Sequence, residues 1–116
     1  MTDGHTITIT PAQAHVEAWL DGVQLAKSDR AVKLEETGLA PRYYLPAEDV
    51  QTDLLEPTGT HTTCPFKGEA SYWSVRIGDQ VHQDVVWSYQ QPIPAADGIA
   101  GLLCFYTERG VEQTVS

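Results

Sequence analysis

Positive charge is scarce in this sequence. Seven Lys and Arg stand against sixteen Asp and Glu, for a formal net charge of −9. A phosphate backbone is bound through clustered cations, and the sequence has no such cluster, so neither nucleic acid nor an anionic membrane surface is an expected partner. A small anion such as a nucleotide stays open, because one Lys in a pocket suffices for it. The acidic excess is spread along the chain and reads as solubility. Long apolar runs are also missing. The longest, Ile99-Ala100-Gly101-Leu102-Leu103-Cys104-Phe105-Tyr106, is too short to cross a bilayer. No basic segment followed by an apolar one opens the chain, so no secretory leader is read and the expected location is cytoplasmic.

Cysteine is nearly absent. Cys64 and Cys104 are expected to be free thiols in a reducing compartment. A structural zinc site usually needs four Cys or His ligands in close pairs, and His61-x-x-Cys64 lacks a second pair. No metal and no cofactor is therefore expected. There is no Gly-rich phosphate loop, no Gly-Ser followed by an Asp-x-Asp pair, no internal repeat and almost no helical periodicity.

What remains is strand after short strand. Thr6-Ile7-Thr8-Ile9-Thr10 alternates strictly and is β-branched, with Pro11 closing it. Asp21-Gly22 separates two alternating runs, 15–20 and 23–27, and predicts a hairpin with a two-residue primed turn. Residues 31–36 read as a strand or a short helix, and 39–46 as an extended segment bracketed by prolines. Pro46-Ala47-Glu48-Asp49 predicts one helical turn. Glu56-Pro57-Thr58-Gly59 reads as a turn before an extended Thr60-His61-Thr62-Thr63. A second hairpin runs over 69–77 and 81–89 around Gly78-Asp79. Pro92-Ile93-Pro94 breaks the sheet and 95–100 reads as a helical turn. Residues 102–107 and 111–115 read as a last strand pair. The expectation is one domain over 1–116, all-β, a compact barrel or sandwich of short antiparallel strands with one or two short helical turns.

The stretch Thr62-Thr63-Cys64-Pro65-Phe66-Lys67-Gly68-Glu69-Ala70-Ser71-Tyr72-Trp73 holds the candidate chemistry. Lys67 is one of three lysines and can hold a ligand anion as a point charge or simply solvate a turn; Arg42 is a second candidate for the same anion. Cys64, kept extended by Pro65, is either a small buried hydrophobe or a nucleophile activated by Lys67 or His61. Tyr43, Tyr44, Tyr72, Trp73, Trp87, Tyr89 and Tyr106 are seven of the ten aromatics. They form either a core or the wall of a ligand cavity. Strand alternation places Tyr43 opposite Tyr44 and Tyr72 opposite Trp73, and puts Trp87 and Tyr89 on one face. The cavity candidates taken forward are Tyr43, Arg42, Cys64, Lys67, Tyr72, Trp73, Trp87, Tyr89 and Tyr106.

Several motifs carry a family likeness. They are His5-x-Ile7-x-Ile9, Pro41-Arg42-Tyr43-Tyr44, Pro46-x-Glu48-Asp49-Val50 and Asp53-Leu54-Leu55-Glu56, followed by Cys64-Pro65-x-Lys67-Gly68-x-Ala70-x-Tyr72-Trp73, Trp87-Ser88-Tyr89 and Ile99-Ala100-Gly101-x-x-x-Phe105-Tyr106. In this order and spacing the sequence resembles the domain of unknown function 427 family, sometimes labelled nucleotidyltransferase-like. The resemblance implies a compact, tent-like all-β fold. Its label implies a Mg²⁺-dependent transfer, for which Glu48, Asp49, Asp53 and Glu56 are carboxylates close enough together in sequence to hold the metal. Three functions are carried forward: binding of a small organic and possibly anionic ligand in an aromatic cavity; an enzyme, either nucleotidyltransferase-like with Mg²⁺ or thiol-dependent through Cys64; and a protein-interaction module with a protein partner.

Overall fold

A computed structural model of the chain describes residues 4–116; the first three residues of the expected domain lie outside it. The strands are β1 (Ile7–Pro11), β2 (Val16–Leu20), β3 (Val23–Ser28), β4 (Val32–Glu36), β5 (Arg42–Tyr44), β6 (Leu55–Cys64), β7 (Gly68–Ile77), β8 (Gln80–Ser88), β9 (Cys104–Phe105) and β10 (Glu112–Val115). Four short 3-10 turns, Ala47–Asp49, Thr52–Leu54, Pro94–Ile99 and Thr107–Arg109, are the only helical segments among the described residues, two more than the sequence suggests. None is long enough to cross a membrane.

The strands form three antiparallel sheets, β1-β4-β5, β10-β2-β3 and β6-β7-β8-β9. No sheet closes on itself, so the architecture is a sandwich and not a barrel. The four-stranded sheet lies between the other two. Its pleat sends Val75, Val86 and Phe105 into a core shared with Val16, Ala18, Leu20 and Leu25 of the β2–β3 hairpin. The opposite face sends Ala70, Tyr72, Trp87 and Cys104 into a second core with Leu34 and Tyr44 of the first sheet. A sheet buried on both faces explains why β7 and β8 are so rich in aromatic and β-branched residues.

Local chemistry sets the turns. Asp21 and Gly22 both take positive φ, 49° and 77°, the primed geometry expected of an Asp-Gly hairpin. Of residues 31–36, Val32–Glu36 resolve as strand, because Leu34 and Glu36 bury one face of β4 against the second core while Glu35 stays outside.

Two sequence expectations are corrected. Glu56-Pro57-Thr58-Gly59 is not a turn: β6 runs straight through it, with its register slipping between Pro57 and His61. Pro57 is tolerated because β6 is an edge strand that has no outer partner for the missing N–H. The buried Asp84 carboxylate stitches the slipped segment to β8, accepting from Thr58 Oγ1 and Thr60 Oγ1, each at 2.7 Å. The last two strands do not pair with each other either. β9 pairs with β8 and β10 with β2, because Val111 buries in the first core and draws the chain across to the other sheet.

Asp84 is one of the few non-glycine residues at positive φ, 52°, so it combines backbone strain with two carboxylate hydrogen bonds. We expect Asp84→Ala to lose about 2–4 kcal/mol of stability, combining two charge-assisted bonds with retained strain. Asp84→Gly sheds the strain and should lose about 1 kcal/mol less. Urea unfolding of both variants checks this; equal losses would remove strain from the account.

Candidate functional site

The second core does not fill. β4 projects Leu34 and Glu36 toward the central sheet and β5 projects Tyr44, while Tyr72 of β7, Trp87 of β8 and Tyr89 just beyond it face them. Between these walls lies a cavity of about 330 Å³, within the range of small-molecule sites. Tyr106 and Thr107 close one side, and Leu39, Ala40 and Pro41 border the other.

Lys67 enters through the Cys64–Gly68 turn. That turn is fixed by hydrogen bonds from the Lys67 N–H to the Cys64 carbonyl, 3.1 Å, and from the Ile93 N–H to the Lys67 carbonyl, 3.0 Å. Gly68 has φ of 114°, and a Cβ there would stand 3.3 Å from the backbone of Pro92 and Ile93; glycine is what allows the approach.

Both cations of the cavity are already partnered. Lys67 Nζ donates to Glu36 Oε1, and the other oxygen of this carboxylate accepts from His5 Nε2 at 3.0 Å. His5 in turn stacks on Phe66 with ring centres 3.8 Å apart. At the rim, Arg42 makes a bidentate pair with Glu108, 2.9 and 2.7 Å. The Arg42 guanidinium lies 5.1 Å from the centre of the Trp87 ring and Arg109 lies 4.2 Å from that of Tyr106. Lys67 is 5.9 Å from the Tyr89 ring centre.

Inside, Trp87 Nε1 donates to the Tyr44 hydroxyl at 3.2 Å, and the Tyr72 hydroxyl is 2.8 Å from Thr62 Oγ1. Burial pushes the phenols of Tyr44, Tyr89 and Tyr106 up from their ordinary value, so all three are neutral donors at physiological pH. The hydrogen bond to Arg42 holds the Glu108 carboxyl at about 2.

The structure brings Arg42, Lys67, Tyr72, Trp87, Tyr89 and Tyr106 to one cavity. It leaves three expected residues out of the cavity. Tyr43 and Trp73 point through the pleat into the other core, where Trp73 borders a separate space of about 250 Å³ with Ala47, Leu55 and Leu103. Cys64 packs on the aromatic cluster without lining the cavity. His61 and Cys64 are three positions apart on β6, on opposite faces, so the imidazole is not placed to take the thiol proton. Cys104 is buried, which pushes its thiol up.

Tyr44, Glu36 and Glu108 are the aromatic and charged cavity residues that sequence reasoning missed, beside Leu34, Leu39, Ala40, Pro41 and Thr107. For Tyr44 a signal existed: it alternates with Tyr43, and only the register of β5 on β4, Val32 with Tyr44, decides which ring enters. The acids Glu48, Asp49, Asp53 and Glu56 do not converge. Asp49 is held by Ser28 and Arg30, at 2.6 and 2.9 Å, and Glu56 by Arg76 at 2.6 Å. Among the described residues no three His, Cys, Asp or Glu side chains gather at metal-ligating spacing.

An open all-β sandwich with an aromatic cavity at one inter-sheet face is the class these features define. The family model described as domain of unknown function 427 matches residues 8–116, and the chain belongs to that family. No curated protein matches the chain.

The rim pair has a pH signature. A glutamate whose folded-state value is depressed contributes stability above the ordinary carboxylate range, and that contribution is lost as pH falls through the folded value. The Glu108 carboxyl should titrate near 2 in a carbon-detected NMR titration, and Arg42→Ala should return it toward the ordinary value of about 4.3. A wild-type midpoint already in the ordinary range would mean that the rim pair is open in solution.

Proposed function

We propose that the protein binds a small organic ligand in the aromatic cavity between β4–β5 and β7–β8. The observation that carries this reading is a space of about 330 Å³ walled by Tyr44, Tyr72, Trp87, Tyr89 and Tyr106 in what would otherwise be a filled core. Small domains close such gaps, because each lost contact costs packing energy. A maintained cavity with convergent phenols and charged groups is the composition of a binding site. The Arg42–Glu108 pair at the rim and the Lys67–Glu36 pair within it add directional polar contacts that a merely imperfect core has no use for.

The nucleotidyl-transfer alternative rests on the family label. It requires carboxylates beside the phosphates, and of the four acids considered for it Asp49 and Glu56 are engaged by Arg30 and Arg76. Thiol chemistry at Cys64 requires an activating neighbour, which His61 on the other strand face does not supply. A protein-interaction role needs no cavity. Ligand binding is the reading that uses the most of the site.

A thermal-shift screen against metabolites and nucleotides, with and without Mg²⁺, tests it. A compound at ten times its Kd stabilises the fold by about 1.4 kcal/mol, a rise of several degrees for a domain of this size. The shift should vanish in Tyr106→Ala and persist in Trp73→Phe, whose ring lies in the other core. A shift seen only with Mg²⁺ would favour nucleotidyl transfer, and a silent panel would favour the interaction module.

A further inference from the structure

The charges around the cavity cancel. Arg42 and Lys67 contribute two positive charges, Glu36 and Glu108 two negative ones, and each cation is bonded to its own carboxylate. We infer that the ligand is an uncharged, flat ring bearing a carbonyl acceptor, such as an aromatic carboxamide; this rests on the ligand-binding reading of the cavity.

An anionic ligand is disfavoured by what it would displace. To bind Lys67 as a sole partner it would have to break the Glu36 contact, leaving a carboxylate that is only 9% exposed with His5 alone. Removing one member of a buried ion pair is strongly destabilising. To bind without breaking that contact, it would bring a second carboxylate up to one ammonium and meet like-charge repulsion.

A cationic ligand fares no better. The usual attraction of a cation to such a site is the ring faces, and two of the lining rings already carry resident cations, Arg42 over Trp87 and Lys67 near Tyr89. A cationic guest would compete with these two cations both for the rings and for the Glu108 and Glu36 carboxylates they already hold.

The hydrogen-bond inventory supplies the rest. Both oxygens of Glu36 and both of Glu108 already accept from a described side chain. Donors are left over. The ammonium of Lys67 keeps two N–H groups beyond its bond to Glu36. The Tyr89 hydroxyl has no partner among the described residues, and the Tyr44 hydroxyl accepts from Trp87 with its own proton unclaimed there. Spare donors on Lys67, Tyr89 and Tyr44, beside carboxylates already engaged by cations, select a guest with lone pairs and no formal charge. Its aromatic walls select a flat one.

Benzamide, benzoate and benzamidinium share one ring and one shape and differ in charge, so they isolate this term. Binding to the wild-type protein is followed through the Trp87 indole N–H and Tyr106 ring signals by NMR titration at pH 7. Benzamide should bind roughly tenfold or more tightly than either ion, the scale of one poorly compensated charged contact. In Glu36→Gln the Lys67 charge is released, and benzoate should gain roughly tenfold relative to benzamide. Glu108→Gln releases Arg42 at the exposed rim and should move the preference the same way, so the test survives if the buried substitution unfolds the protein. If benzoate or benzamidinium matches benzamide on the wild type, the charge inference is overturned while the binding reading stands. If all three leave the Trp87 and Tyr106 signals unmoved, both fail together.

Discussion

A carboxylate nearly sealed from water must be held by donors whose attraction offsets its desolvation, and Glu36 is such a group. It ends β4 and faces the central sheet, where Lys67 from the β6–β7 turn and His5 from before β1 reach it. Three separated pieces of chain converge on one anion. Because this contact is polar and directional, the first sheet meets the central one through an ion pair at that point and not through close apolar packing. The space alongside stays open. The cavity is the geometric remainder of that constraint.

The second determinant is the pleat of the central sheet. Covered on both faces, it assigns every other residue to one core or the other. Tyr72 joins the cavity while Trp73 leaves it; Cys104 faces the aromatic cluster while Phe105 faces the aliphatic one. The two cores differ in character for the same reason. Sheet β10-β2-β3 brings Val, Ala and Leu, whereas sheet β1-β4-β5 brings a buried acid, a tyrosine and an arginine-bearing rim.

Much of this could be read in advance because its causes are local. Asp21-Gly22 dictated a primed turn, strict alternation dictated strands, and adjacent aromatics on one strand had to part company. The readings that missed were those decided at a distance. Pro57 and Gly59 look like a turn until Asp84, some twenty-five residues on, supplies an acceptor that keeps the threonines extended. Residues 102–107 and 111–115 look like a hairpin until Val111 finds a place in the other core. Glu36 and Glu108 carry no local mark of their roles, since their cations lie 31 and 66 positions away. Of the site, the two cations and every aromatic but Tyr44 were visible, and the anions that neutralise the cations were not.

The two thiols also differ in kind. Cys104 is sealed inside the aromatic core and its thiol is pushed up by burial, which withholds the reactive thiolate. Cys64 sits half-exposed at the end of β6, against the same cluster from outside. A maleimide dye or spin label applied to the native protein therefore attaches at one place. The unaltered sequence supplies its own single-site reporter, mounted beside the cavity without occupying it.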